Sequence, residues 1–231
     1  MMKQALLAGL PELSLTLSEE TADTLCAFGQ AVIQQNKVMN LTAITQPDQV
    51  AKLHLLDSLT VLSSQDLAGK KLIDVGCGAG FPGVPLKIAC PSLEVTLLDS
   101  LGKRISWLQT ILPTLGVEAE CIADRAEEAV ADRRETYDFA TSRAVARLPI
   151  LLELTAPYVK VGGAVLAMKG SAAREELRES EKAIKVLGLK LETVKEFSID
   201  GTNHAVIVLR KIAPTPKQYP RRYAKIKQSP L

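Results

Sequence analysis

Lys71-Leu-Ile-Asp-Val-Gly-Cys-Gly-Ala-Gly-Phe-Pro-Gly83 decides how the rest of the chain is read. A short apolar run (Leu72, Ile73, Val75) leads into glycines at 76, 78, 80 and 83, and an apolar segment, Val84 to Ala89, follows. The pattern predicts strand, tight loop, helix. Glycine reaches positive φ without steric cost and lets a ligand approach the backbone closely. The free N–H groups of a helix start suit an anionic or polar ligand group. A plain strand-to-helix turn needs one glycine, so four argue for a nucleotide-like ligand.

Two ligand classes compete. Gly78, Gly80 and Gly83 satisfy G-x-G-x-x-G, the dinucleotide pattern. In that fold the first glycine closes the turn directly after the strand, which here is Gly76, and counting from Gly76 the third position falls on Phe81. Asp74, two residues before Gly76, instead completes Asp-x-Gly-x-Gly-x-Gly, the arrangement of S-adenosylmethionine-dependent methyltransferases. Asp99 ends the next apolar strand, Val95 to Asp99, where a carboxylate can accept both hydroxyls of a ribose. It serves either cofactor equally. The phosphate-loop pattern G-x-x-x-x-G-K-[ST] does not occur, which argues against an ATPase.

A chain of 231 residues suits one domain with additions or two small ones. Hydrophobic residues make up 47% of it and aromatic ones 4%, so the core is expected to be built from Leu, Val, Ile and Ala. The net charge of +2 does not by itself announce nucleic-acid binding. Cys26, Cys77, Cys90 and Cys121 are widely spaced and form no C-x-x-C pair, which argues against zinc, any other metal cluster or a disulfide framework, and for a reducing compartment. No stretch has the length of a membrane span. The apolar start Ala5 to Leu10 meets Pro11 and Glu12 too soon for a secretory signal, so a cytoplasmic, membrane-independent protein is expected.

Three regions follow: a helical extension over 1–66, a core over 67–212 and a basic tail over 213–231. Residues 1–17 read as a mobile or loosely docked start. Ser18 caps a helix whose apolar stripe is Ala22, Leu25, Cys26, Val32 and Ile33, fading near Asn36 to Asn40. Thr45 is expected to cap a second helix with Pro47 in its first turn, on which His54, Asp57 and Ser58 share a polar face. From residue 71 strands and helices alternate. The predicted strands are 71–75, 94–98, 117–122, 137–142 and 164–168, and the predicted helices are 84–90, 101–112, 126–133 and 149–158. Alternation of this kind predicts a parallel sheet covered on both faces. A charged helix from Ala172 to Val186, read as a solvated face, precedes two last strands, 189–197 and 204–212. Their short connection with Asp200-Gly201 predicts an antiparallel pair. Residues 210–231 hold seven Lys or Arg, no acid, and Tyr219 and Tyr223 among them. Such a tail suits phosphate contacts and base stacking, or is simply a solvated end.

The chain resembles the bacterial 16S rRNA guanine-N7 methyltransferases, the family first named glucose-inhibited division protein B. The resemblance runs from about residue 20 to the C-terminus and rests on Asn40-Leu-Thr42, His54-Leu-Leu-Asp-Ser58, Asp74 to Gly83, Leu98-Asp-Ser100 with Lys103-Arg104, Arg125-Ala-Glu127, Ser142-Arg-Ala144, Lys169-Gly170 and Tyr219-Pro-Arg221. It implies an α/β, Rossmann-like class I methyltransferase fold: a seven-stranded, mostly parallel sheet with an N-terminal helical cap. It implies methyl transfer from S-adenosylmethionine to N7 of one guanine in the small ribosomal subunit. On that pattern Gly76, Gly78, Phe81, Asp99, Ala126, Glu127 and Arg143 are expected to contact the cofactor. Asn40, His54, Arg125 and Arg143 are expected to form the polar wall where donor and guanine meet. Two positions depart from the family pattern: Leu53, where a basic residue often precedes the histidine, and Asn203, where an Arg often precedes the last strand.

Guanine N7 carries a lone pair and loses no proton on methylation, so no general base is demanded. Positioning and electrostatics are then the expected work. A paired RNA hides N7 in a deep, narrow groove, so a looped or splayed guanine is expected. Two other readings stand beside this one: an NAD-dependent oxidoreductase using the Gly78-Gly80-Gly83 register, and a non-catalytic sensor of S-adenosylmethionine. Nothing in the chain demands a dimer.

Overall fold

The computed structural model describes residues 1–231. Seven strands form one sheet in the order β3-β2-β1-β4-β5-β7-β6. These are β1 (Lys71–Val75), β2 (Glu94–Asp99), β3 (Glu120–Ala123), β4 (Tyr137–Arg143), β5 (Val159–Lys169), β6 (Leu189–Ile199) and β7 (Thr202–Lys211). The first five are parallel, and β7 lies antiparallel between β5 and β6. The usual dinucleotide-binding order is 3-2-1-4-5-6, so the inserted antiparallel strand sets this sheet apart from it. Strand order reverses between β1 and β4, and in open α/β sheets ligands bind beyond the carboxyl ends at that point.

Alternation along each strand divides the core. Leu72, Phe139 and Leu166 point to one face and Ile73, Ala140 and Val165 to the other. The first face is covered by α5 (Gly83–Ala89), α6 (Gly102–Thr114) and the N-terminal helices. The second is covered by α7 (Ala126–Ala129), α8 (Leu148–Thr155), α9 (Ala173–Glu179) and α10 (Glu181–Val186). The edge strand β6 is mostly exposed and carries Lys190, Glu192, Lys195 and Glu196, charges that discourage pairing with another sheet.

The start of the chain is not loose. Helix α1 (Met2–Gly9) and the 3₁₀ turn Leu10–Leu13 bury Met2, Leu6, Leu10 and Leu13 in the first core. A Cβ on Gly9 would clash with Leu56 Cδ1, so the helix docks through its glycine. A helix this short carries too few turns for its apolar face to stand out in the sequence. Helix α2 (Glu19–Met39) begins as expected, with Ser18 Oγ accepting the Thr21 N–H at 3.1 Å.

The second N-terminal helix starts one residue later than expected. Gln46, not Thr45, is its cap, and it offers no side-chain bond, because Pro47 sets the first turn by its own fixed φ. The helix runs as α3 (Pro47–Val50), a π-turn (Ala51–Leu56) and α4 (Asp57–Leu59). The predicted helix over 126–133 shortens to α7, that over 149–158 ends at Thr155 before a 3₁₀ turn containing Pro157, and strand 117–122 shifts to β3. The single helix predicted from Ala172 breaks into α9 and α10 at the fully buried Ser180.

The tail is docked. Helix α11 (Tyr223–Gln228) packs on α8, with Ile226 fully buried. Arg221 gives its backbone N–H and its guanidinium to the fully buried Glu153 of α8, at 2.5 to 2.8 Å. Lys211 is buried against the Ala156 carbonyl at 2.8 Å and Glu135 at 3.2 Å, and burial lowers its pKa. Arg210 pairs with Glu192 at 2.5 Å. Three of the seven tail cations are thus engaged within the protein, which corrects the reading of this stretch as a uniform basic or solvated end.

Candidate active site

The glycine loop follows β1 as read. Gly76 has φ 74° and Gly78 φ 56°. A Cβ on Gly83 would fall 2.5 Å from Leu97 Cδ2 and 3.0 Å from Asp74 Oδ2, so glycine there lets α5 approach the sheet. Asp74 accepts the Gly83 N–H at 2.8 Å through Oδ2, while its buried Oδ1 has no partner. Complete burial raises this carboxyl to about 7, the Gly83 bond pulling the other way. Asp74 therefore ties strand to helix beneath the loop and does not line the groove above it.

At the end of β2, Asp99 Oδ2 accepts the Gly78 N–H at 2.9 Å and Oδ1 the Leu101 N–H at 2.8 Å. Arg104 Nη1 stands 3.5 Å away. Oδ1, with one bond, has room for a further donor, and the long Arg104 contact on Oδ2 is the one a ligand hydroxyl could replace. A Cβ on Gly78 would meet nothing within 4 Å except Arg104 Nη1 at 3.9 Å, so this glycine faces open space. A cavity of about 210 Å³ adjoins, walled by Asp99, Ser100, Ala126, Glu127 and Leu98. An open glycine face beside a carboxylate with spare acceptor capacity, next to a small, partly apolar cavity, fits an adenosine-bearing ligand.

A larger groove of about 900 Å³ continues from the same loop. The two share Gly76, Asp99, Ser100 and Val145, so they are adjoining parts of one cleft. Val145 marks the partition: its Cγ2 packs so closely on Gly76 that a Cβ there would clash with it.

Four side chains make the polar end of the larger groove. Ser142 Oγ donates to the Val75 carbonyl at 2.7 Å and locks β4 to β1. Arg143 then faces the groove, and Ala144 turns the chain away at φ 57°. Arg143 Nη1 donates to Asp57 Oδ2 at 2.8 Å and to the Leu53 carbonyl at 2.9 Å, and Nη2 stands 3.2 Å from His54 Nδ1. Its guanidinium lies 5.1 Å from the Phe81 ring centre, and His54 lies against the same ring at 4.8 Å. His204 of β7 reaches Asp57 Oδ1 at 2.8 Å. Burial first, and then Arg143, lower His54 to about 4, so its ring is neutral at pH 7. Burial tends to raise Asp57, but the His204 hydrogen bond and Arg143 outweigh it and hold the carboxyl below its ordinary range.

The π-turn brings His54 and Asp57 to one side, with Ser58 Oγ donating to the His54 carbonyl at 2.6 Å. Insertions of this kind are frequent at functional sites. His54 Nε2 also meets Thr42 Oγ1 at 2.7 Å. Thr42 is placed by Asn36, whose Oδ1 accepts the N–H groups of Leu41 and Thr42 at 2.5 and 2.8 Å.

The residues selected from sequence therefore fall into two places, not one. His54 and Arg143 meet in the large groove with Phe81, while Asp99 and Gly76 sit at the join. Arg125 is the residue before α7 and stands with Ala126 and Glu127 on the small cavity, not beside His54. Asn40 is an exposed left-handed C-cap at φ 48° outside the groove, where Leu41 and Thr42 take the lining positions. Arg143, expected on both lists, belongs to the polar end. Its cavity lies away from Ala126 and Glu127.

Sequence reasoning does not find His204, Thr42 or Asn36, and it takes α9 for a merely solvated face. Glu176 of α9 receives Lys169 Nζ at 2.8 Å and the Leu148 N–H at 2.7 Å, making one rim of the groove. Of the two departures from the family pattern, Leu53 contributes its carbonyl to Arg143, while Lys52 pairs with Asp200 at 2.6 Å. Asn203 pairs with Ser198 at the β6–β7 end, beside His204.

Known proteins of similar sequence and fold agree with this architecture. The model of the family described as rRNA small subunit methyltransferase G matches residues 21–206. Ribosomal RNA small subunit methyltransferase G of Desulfitobacterium hafniense (strain Y51) is 42% identical, over 95% of this chain and 93% of its own. The protein of that name from Alkaliphilus oremlandii (strain OhILAs) is also 42% identical, over 100% and 99%. Among solved structures, a SAM dependent methyltransferase from Aquifex aeolicus shares the fold at a TM-score of 0.55 and 18% identity, covering 71% of this chain and 93% of that one. No helix is long and apolar enough to cross a membrane. A full-length match at this identity, on a sheet and cleft of this form, establishes that the chain belongs to the rRNA small subunit methyltransferase G family.

Proposed function

We infer that this protein transfers a methyl group from S-adenosylmethionine to N7 of one guanine in the 16S RNA of the small ribosomal subunit. Family membership supplies the substrate class. One structural observation carries the residue assignment: a small cavity and a polar groove that share Gly76, Asp99, Ser100 and Val145. A donor held at one end and an acceptor at the other would meet above the glycine loop.

S-adenosylmethionine, when bound, supplies an electrophilic methyl group on a sulfonium. The chain's residues do the rest. Asp99 accepts ribose hydroxyls while holding the loop through the Gly78 N–H. Ala126 and Glu127 bound the adenine side. The bare face of Gly78 keeps the loop open to a ligand, while Val145 covers Gly76 at the join.

Neutral His54 has no proton to remove from N7 and need remove none. It fixes Arg143 and joins it to Thr42. Arg143 has five N–H donors: Nη1 gives two to Asp57 and Leu53, and Nη2 turns a third toward His54 Nδ1, which also lies 2.9 Å from the Leu53 carbonyl. The remaining two are suited to guanine O6 or a flanking phosphate, leaving N7 free. Ground-state rigidity of this kind is what alignment at near-attack distance requires.

Lys103 and the exposed tail cations Lys217, Arg222, Lys225 and Lys227 would hold RNA phosphates. One chain supplies both parts of the cleft, which supports action as a monomer, in the cytoplasm where the subunits are. Incubation of labelled S-adenosylmethionine with small subunits from cells lacking the protein is the test. Transfer to the subunit RNA supports the assignment. Cofactor binding with no transfer to subunits or their naked RNA would leave a sensor instead.

A further inference from the structure

We propose that Tyr223, the first residue of the C-terminal helix α11, is a cofactor-site residue that closes the adenine side of the small cavity. This rests on the cofactor reading above and extends it to a segment beyond the residues that the family model matches.

Tyr223 lines that cavity together with Ala126, Glu127, Asp99 and the aliphatic Leu98 and Leu154. An aromatic face and aliphatic walls beside a ribose-accepting carboxylate form a purine-nucleoside subsite. Aromatic stacking on a base is tolerant of exact register and strong enough to decide affinity. The Tyr223 side chain is half-buried and makes no hydrogen bond within the protein, so nothing else in the fold engages its polar end.

Its position is fixed from three sides. Arg221, two residues earlier, is bound to the fully buried Glu153 by its backbone N–H at 2.8 Å and by two guanidinium bonds. Ile226, one turn later, is fully buried. Arg134 donates to the carbonyls of Thr215 and Tyr219, holding the approach to the helix. The backbone that carries the ring is therefore held by the fold before any ligand arrives, and a ligand that meets it bears little of the cost of ordering that segment. The neighbouring Arg222 and Lys225 are unpaired, so one short helix presents an aromatic wall to the cavity and cations to solvent.

The test is calorimetric titration of the full chain with S-adenosylhomocysteine and, separately, adenosine, for wild type, Tyr223→Phe and Tyr223→Ala. Tyr223→Phe is expected to bind as wild type does, and Tyr223→Ala about tenfold more weakly. The loss should be the same factor for adenosine, which lacks the amino-acid arm. Wild-type binding with Tyr223→Ala within twofold of it would overturn the proposal and leave the cofactor reading standing. Failure of wild type itself to bind would overturn both. Should Tyr223→Ala not fold, amide exchange in wild type decides: residues 223–228 slow on addition of S-adenosylhomocysteine, and an unchanged rate overturns the proposal.

Discussion

Breaking the Arg143–Asp57 pair should cost both stability and turnover, and the two losses can be separated. The pair joins β4 to the first residue of α4 at 2.8 Å, with side chains only 17% and 7% exposed. Arg143→Met keeps the stem but leaves Asp57 buried with the His204 ring as its one remaining side-chain partner. Removing one member of a buried pair costs about 3–5 kcal/mol when the other charge is stranded. His204 relieves part of that, so about 3 kcal/mol is expected at pH 7, with a similar loss for Asp57→Asn. The double variant strands neither charge and should cost about 2 kcal/mol less than the sum of the two singles. Urea unfolding of the ligand-free protein reads this directly. Additivity within about 0.5 kcal/mol would refute the coupling. Under conditions where each variant is folded, Arg143→Met should also slow single-turnover methylation by about 10- to 100-fold, the worth of a charge-assisted hydrogen bond. S-adenosylhomocysteine affinity should stay near wild type, since Ala126, Glu127 and Asp99 are untouched.

Further outcomes follow from the same geometry. His54, lowered from 6.5 to about 4, contributes stability that is present above pH 6.5 and lost as pH falls toward 4. Asp74, raised from 3.8 to about 7, contributes stability present at low pH and lost as pH rises through 7. In wild type the two slopes oppose each other between pH 4 and 6.5. His54→Gln should therefore leave stability falling with pH, and Asp74→Asn should leave it rising, each by about 1 kcal/mol per pH unit in urea unfolding; unchanged slopes would contradict both assignments. Asp99→Asn should weaken S-adenosylhomocysteine binding about tenfold or more in calorimetry, through loss of a charged acceptor. Replacing Arg222, Lys225 and Lys227 by Gln should flatten the salt dependence of RNA binding, by about 0.7 in slope for each phosphate no longer neutralised, without lowering the melting temperature. Arg221→Gln, which strands Glu153, should instead destabilise the fold by about 3 kcal/mol with little change in that slope.

Much of this is legible in the sequence because it is local. The four glycines, the acid before them and the acid ending the next strand lie within one βαβ unit, and their spacing alone places the cradle. The alternation from residue 71 onward announces the sheet, and Asp200-Gly201 announces the antiparallel turn that puts β7 next to β6. What stays hidden depends on distant pairing. His204 matters only because β7 inserts between β5 and β6 and carries it to Asp57, far earlier in the chain. Asn40 draws attention away from Thr42 because a side-chain amide looks more chemical than a hydroxyl, whereas Asn36 bends the loop so that the hydroxyl faces His54. The tail charges look equivalent in sequence. Their division into paired and free ones is set by Glu153, Glu135 and Glu192, which lie far apart in the chain. The resemblance groups Arg125 with Arg143, and only the position of α7 shows that Arg125 stands on the cofactor side.

The most direct test of the central claim is to map the modification to one atom. Small subunits lacking it are incubated with the protein and S-adenosylmethionine, and their RNA is then treated with borohydride and aniline, which cleave the strand at N7-methylguanine. The account predicts one new cleavage, at a single unpaired guanine, dependent on cofactor and lost with Arg143→Met. Methyl incorporation without any such cleavage would place the methyl on a different atom and contradict the account.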